Sequence, residues 1–176
     1  SSDLNYRDAA AAYNRAATLE PRDDWRAKVV ALRERAVLAD LPPSFASLAS
    51  AASITRADVA AYIGIHLDDL IERAPRSTTD VATDIRNHWA SNWILPVTRA
   101  GVMSIYTNHT FQHGAVVRRY DLASIVASLV RLAAGTPRRA ELTQWQAARP
   151  RFPDMASGHL AYTSAALAVS SGAMTV

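Results

Sequence analysis

At 176 residues, 49% hydrophobic and 20% charged, the chain can form one or two small domains with a real core, which excludes a disordered polymer. Its net charge of +3 comes from scattered residues, nearly all arginine, without the dense basic stripe a phosphate backbone requires, so no nucleic-acid partner is expected. The lack of cysteine excludes disulfides and thiolate metal sites, and no apolar run reaches the roughly 20 residues of a membrane span.

Residues 4–19 place Tyr6, Ala9, Tyr13, Ala16 and Leu19 at steps of three and four, which makes one helical face that Pro21 terminates. The spacing resembles the second helix of a tetratricopeptide repeat (TPR). Asp23 and Asp24 can cap a second helix, about 24–39, with Trp25, Val29, Leu32 and Leu38 on its face, ended by Leu41-Pro42-Pro43. The Tyr6/Tyr13 face is expected to pack on that helix as an antiparallel pair. Residues 1–40 are thus read as a TPR-like helical pair, and 41–176 as a second domain.

A short helix, about 44–51, carries Phe45, Leu48 and Ala49. Thr55 with Asp58 three residues on is a capping-box pattern in its Asp variant. It opens a helix whose stripe is Val59, Ile63, Leu67, Leu70 and Ile71, with Gly64 a possible bend. Pro75 to Thr79 is a loop. Trp89, Trp93, Ile94 and Val97 form the next helical face, with Pro96 predicting a kink or a fresh first turn, and Gly101 in the position after the helix. Residues 104–116 lack helical period, and Ile105, Tyr106 and Phe111 are expected to anchor them as a loop. A helix at 119–134 buries Leu122, Ile125, Val126, Leu129 and Leu132 and stops at Gly135-Thr136-Pro137. A short helix at 138–148, a turn at 149–153 and a last helix at about 158–171, ended by Gly172, complete the chain. No segment alternates as a strand does, so the fold class is all-α.

The chain also repeats itself. Val117-Arg118-Arg119-Tyr120-Asp121-Leu122-Ala123 echoes Ile54-Thr55-Arg56-Ala57-Asp58-Val59-Ala60, 63 residues earlier. Ser171-Gly172-Ala173-Met174 echoes Ala100-Gly101-Val102-Met103 at an offset of 71, and Asp154 echoes Asp84 with one residue inserted before His159. This reads as a shortened unit at 41–75, a complete unit at 80–134 and a partial unit at 138–176. The start at Ser1-Ser2 and the stop within a repeat suggest a processed or partial product, so the lack of a signal peptide carries no weight.

Arg56 and Arg119 each fall in the first turn of a predicted helix, where the helix dipole disfavours a cation by up to roughly 1 kcal/mol. Placing arginine there twice implies that each guanidinium meets an anion. That anion is either an internal carboxylate, such as Asp40, Asp84 or Asp154, or an acidic ligand held bidentately. Asp58 and Asp121 suit the role of helix N-terminal carboxylates. His88 and His159 hold nearly equivalent repeat positions, which points to a repeated packing or hydrogen-bond role. His109 and His113 lack the further ligands of a metal site, so neither metal nor cofactor is expected. Asn108-His109-Thr110 fits the glycosylation pattern. With no phosphate loop, nucleophile elbow or paired-carboxylate cleft, no enzyme is expected.

Asp84-Ile85, His88-Trp89-Ala90, Ile94, Ala100-Gly101-Val102, Tyr106, Thr110-Phe111 and Arg119-Tyr120-Asp121-Leu122-Ala123 resemble the S-layer homology (SLH) motif. Ile54-Thr55-Arg56-Ala57-Asp58 is similar to its Thr-Arg-Ala-Glu signature, and 152–174 to the first half of a further copy. The resemblance implies helix–loop–helix units around a shared helical centre, on the extracytoplasmic or periplasmic face of a bacterial cell envelope. It implies grooves that take acidic cell-wall polysaccharide, with Arg56, Arg119 and Trp89 as groove residues; the counterpart of Trp89 in the last unit is Leu160. The family's Asp-Gly-Thr-Phe-x-Pro loop reads Asn108-His109-Thr110-Phe111-Gln112-His113 here, and Arg118 stands where Thr55 caps. Because these departures fall where glycan would touch, the favoured expectation is a non-catalytic scaffold subunit docked on a larger envelope or membrane complex. The alternative is a polysaccharide-anchoring module.

Overall fold

Ser2–Leu19 and Asp23–Ala39 form α1 and α2, where the apolar spacing predicts helices. A computed structural model describes residues 2–19, 23–39, 41–42, 45, 48–76 and 82–176. The two helices pack on each other, and with only three residues joining them the pair is an antiparallel hairpin. Val29 and Ala36, two helical turns apart, are buried on α2. The Lys28 ammonium lies over the Tyr13 ring at 5.6 Å. The Tyr6 side chain, expected on the same face as Tyr13, lies outside the described residues. Of the helix expected at 44–51, residues 44, 46 and 47 lie outside the described residues, and Leu48–Ser50 is a single 3₁₀ turn. These residues belong to one compact unit, Ser1–Ala51, and Ala52–Val176 is a second.

In the second unit, α3 spans Arg56–His66. The Thr55 main-chain N–H donates to Asp58 Oδ2 at 2.8 Å and the Asp58 N–H donates to Thr55 Oγ1 at 3.3 Å, the reciprocal capping expected from the sequence. The helix breaks at Leu67 (φ −127°), and α4 follows at Asp68–Glu72. Gly64 therefore does not bend the helix. It is small because Trp93 packs against it, and a Cβ there would meet Trp93 Cδ1 at 2.7 Å.

Helix α5 is Ser91–Arg99 with Pro96 inside it. The carbonyl that proline leaves without a donor is that of Asn92, and both residues are exposed, so water can satisfy it. Gly101 adopts φ 70°, a conformation that costs glycine nothing. Helix α6 is Arg119–Ala134, α7 is Arg139–Ala147 and α8 is Tyr162–Ser170. The last helix begins later than its apolar pattern predicts. His159 and Tyr162 donate instead to the carbonyls of Ala156 and His159, which makes turns of that stretch.

The strongest packing in this unit is α3 on α5 and α6 on α8, with α7 bridging α6 and α8. Each arginine helix is thus matched with the second helix after it. The sequence suggests instead that α3 and α6 pack together at a common centre. They do not form a packed pair. They are tied through the residues that precede them: Val117 N–H donates to the Ile54 carbonyl at 2.9 Å, beside an isolated Thr55–Val116 bridge. The faces of α3 and α6 are consumed within their own halves, where Ala60, Ile94, Val97, Ala127 and Leu167 are buried. Among the described residues the architecture is all-α, and no helix is long and apolar enough to cross a membrane.

Candidate functional site

The first cluster forms where the start of α3 meets the loop after α5. Arg56 Nε donates to the Phe111 carbonyl at 2.8 Å, and Nη2 donates to the Ser104 carbonyl at 2.6 Å. Its guanidinium faces the rings of Phe111, at 4.5 Å, and Tyr106, at 5.0 Å. The hydrogen-bonded partner is therefore not an internal carboxylate, one of the two anions the sequence suggests, but the negative ends of two peptide groups. Burial lowers the Arg56 pKa, and the charges of Tyr106, Asp121 and Asp84 oppose that; a guanidinium stays protonated through such a shift.

The same loop covers the rest of the helix start. The N–H groups of Arg56 and Ala57 donate to the carbonyls of Ala115 and His113, at 2.9 and 3.0 Å. Asp84 closes the loop from the other side, accepting Phe111 N–H at 2.7 Å and Gln112 N–H at 2.8 Å. Gln112 holds φ 54° and His109 φ 58°, uncommon for residues with a Cβ, so the loop is shaped by these bonds. Phe111 is 0% exposed and acts as the plug the sequence predicts. Tyr106, expected as a second anchor, is 43% exposed and lies on the guanidinium instead.

His88 and His159 repeat one role, as their equivalence suggests. His88 Nδ1 accepts the Ala90 N–H at 3.2 Å, and His159 Nδ1 accepts the Ala161 N–H at 3.1 Å. The His88 ring lies 4.1 Å from that of His113 and 5.5 Å from that of Trp89. Trp89 in turn lies 6.2 Å from Trp93, so the groove tryptophan expected from the resemblance belongs to an aromatic row that leads into α5. His109 is not part of this row; its carbonyl accepts the Thr83 N–H at 2.9 Å.

Two groups here set a pH dependence. Burial, then the His113 charge, holds the His88 pKa below its ordinary 6.5, despite Asp58 and Asp84. The unfolded chain therefore takes that proton more readily, and the stability linked to His88 is full above 6.5 and lost as pH falls below it. Burial pushes the Asp84 carboxyl up, but the N–H groups of Phe111 and Gln112 outweigh it and leave the pKa below 3.8. Its contribution is full above 3.8 and is lost as pH falls through the lowered folded value. Thermal unfolding of the Ala52–Val176 unit should show two shallow declines on acidification, one below about pH 6.5 and one below about pH 4. His88→Gln should remove the first and Asp84→Asn the second. A midpoint independent of pH between 7 and 3 would contradict both assignments.

The second cluster lies at the start of α6. Arg118 N–H donates to Asp121 Oδ2 at 3.1 Å, but the Arg118 side chain has no acceptor to return the bond, so only half a capping box forms. Arg119 Nη2 donates to the Thr175 carbonyl at 2.6 Å. Thr175 stands 71 residues beyond Ser104, the offset that relates Gly172, with φ 78°, to Gly101. Each arginine thus holds the turn after the helix on which its own helix packs. Around Arg119 lies a cavity of about 390 Å³, with Asp154, the counterpart of Asp84, and Phe152, Met155, His159 and Met174 in its wall. Leu160, in the place of Trp89, is fully exposed.

Of the residues singled out in the sequence, Thr55, Arg56, Asp58 and Asp84 meet through one loop, and Arg119 and Asp154 line one cleft. Gly101 and Gly172 shape the turns that supply the carbonyls, and Asp121 caps α6. Sequence reasoning missed Ser104 and Thr175, which act through main-chain oxygen and carry no side-chain signal; once one of them is known, the 71-residue register gives the other. Among the described residues no group of three or more potential metal ligands occurs. Comparisons with known protein families, with curated proteins and with solved structures find no match.

Proposed function

We propose that this chain is a non-catalytic scaffold, an extrinsic subunit docked on a larger protein complex of a bacterial cell envelope through SLH-like and TPR-like surfaces. The observation that carries this reading is the use made of Arg56. Its guanidinium is committed to the Ser104 and Phe111 carbonyls and faces two rings, so it staples the chain's own loop in the place where an anchoring module needs a groove open to glycan. Exposed apolar side chains, Tyr62, Val116 and Leu160, add surface suited to protein contact. The SLH and TPR likenesses rest on the motif residues, and the envelope location rests on them in turn.

The test is a pair of pull-downs with the whole chain, one from detergent-solubilised envelope and one on purified wall polymer. Retention of a defined protein complex without retention on the polymer is the expected result. Retention on acidic polymer alone, lost when the polymer's acidic groups are removed, would make the chain a wall-anchoring module instead.

A further inference from the structure

Residues 131–151 hold five arginines, Arg131, Arg138, Arg139, Arg149 and Arg151, against one acid, Glu141. That is a net +4, so the other 155 residues together carry −1. The fold sets this charge along one surface element. Arg131 is in the last turn of α6, and the Arg138 N–H closes the connection to α7 on the Ala134 carbonyl at 3.0 Å. Arg149 and Arg151 follow the end of α7, no residue of α7 is buried, and all five arginines are exposed.

Folding makes little use of these cations. Arg138 pairs with Glu141 and lies over the Trp145 ring at 5.2 Å. Arg149 gives Nη1 to the Gln146 and Ala148 carbonyls, both at 2.9 Å, which leaves its Nε–Nη2 edge without an acceptor among the described residues. The guanidinium groups of Arg131, Arg139 and Arg151 have no acceptor there at all. Arg139 also stands at the first position of α7, where the helix dipole disfavours a cation. Nor does the place in the fold call for arginine. α4 follows α3 as α7 follows α6, and it carries exposed Asp68, Asp69 and Glu72 instead. It packs on α3 and α5 and forms no packed pair with a later helix, so this place is peripheral in the first half as well.

We infer that the α7 surface docks an acidic segment of a partner protein, held by Arg131, Arg139, Arg149 and Arg151. This rests on the docked-subunit reading above and names the surface and the partner chemistry it uses. The free edge of Arg149 suits a carboxylate held side-on by two parallel N–H groups. Beside it lies a cavity of about 260 Å³ whose wall includes Gln146, Ser157 and Thr163, with amide and hydroxyl groups that can bond a peptide next to that carboxylate. The nine residues of α7 set the two ends of the surface about 13 Å apart, roughly four residues of extended chain, so acids at that spacing reach both. Glu141 between those ends selects against a uniformly anionic partner, lipid or wall polymer, which brings charge against it. A protein segment can leave that place neutral.

The probe is a fluorescently labelled peptide of serines carrying two pairs of glutamates four residues apart, titrated onto the whole chain with anisotropy as the readout. Saturable binding is expected, and none for the same peptide with glutamine in place of glutamate. Arg139→Glu together with Arg149→Glu should weaken binding about tenfold or more. The same change of net charge at Arg86 and Arg99, exposed elsewhere in the unit, should weaken it less than about threefold. Arg149→Lys keeps the charge but loses the fork, and should weaken it at least about threefold. Since every altered side chain is exposed, thermal midpoints should stay within a few degrees of the unaltered chain. Equal weakening by the two double variants would overturn the inference, because net charge alone would then account for binding. Vesicles of anionic phosphatidylglycerol, or wall-polymer fragments, that bind more tightly than the peptide and lose binding in the Arg139→Glu/Arg149→Glu chain would overturn it too. So would a dimer of the unaltered chain in sedimentation equilibrium that this variant abolishes, which would give the surface to a second copy. In the envelope pull-down, a complex still retained by that variant would sink this surface and leave the docked-subunit reading standing. Failure of the unaltered chain to retain any complex would sink that reading and the inference with it.

Discussion

Phe111→Ala is expected to destabilise the Ala52–Val176 unit by about 3–5 kcal/mol, the usual cost of emptying a fully buried aromatic site. Phe111 has no exposure to solvent. Its ring also forms one of the surfaces under the Arg56 guanidinium, so the substitution removes packing on two sides at once. The main-chain bonds of residue 111 to Arg56 and Asp84 survive the change in principle, but they hold a loop that has lost its plug. Urea unfolding followed by tryptophan fluorescence is a suitable measure, because Trp89, Trp93 and Trp145 all lie in this unit, with Trp25 in the other. A loss below about 1 kcal/mol would mean that the site collapses around the gap and that the loop does not depend on its plug.

Arg56→Ala is expected to cost about 2–3 kcal/mol, because it leaves the half-buried Phe111 carbonyl without its charged donor and removes the contacts with two rings. That is less than the cost of stranding a buried carboxylate, since a carbonyl carries only a partial charge. Arg56→Lys should recover only part of the loss, because an ammonium cannot reproduce the planar fork that reaches two carbonyls while stacking. The comparison with Arg119→Ala is the sharper test. Arg119 makes a single exposed bond to Thr175, so that variant should stay within about 1 kcal/mol of the unaltered chain. Equal losses at the two positions would show that the clusters are energetically alike and that the Arg119 cleft is no more open than the first. An unchanged midpoint in Arg56→Ala, together with lost sedimentation on wall polymer, would assign Arg56 to a ligand and restore the anchoring reading.

Much of the molecule was determined by local sequence. Helix starts and stops depend on short-range chemistry: the Thr55–Asp58 reciprocal cap, the Asp121 carboxylate, and Gly101, Gly135 and Gly172 in positive-φ turns. The all-α class follows from periodic apolar faces, and the pairing of His88 with His159 follows from the repeat. The sequence also marked Arg56 and Arg119 as positions that need a negative partner, because a cation at a helix start is unfavourable in itself.

What met those cations was decided only in three dimensions. Peptide carbonyls have no identity in a sequence, so neither Ser104 nor Phe111 could be named as the acceptor for Arg56 until the loop was folded over it. The role of Gly64 depends in the same way on Trp93, brought to it from another helix. The two clusters also differ in how far each is covered. Nearly equivalent residues surround both arginines, yet one pair is covered by a loop whose groups bond it on every side and the other borders an open cleft. A repeat fixes which residues recur, whereas burial depends on which other segment packs over them.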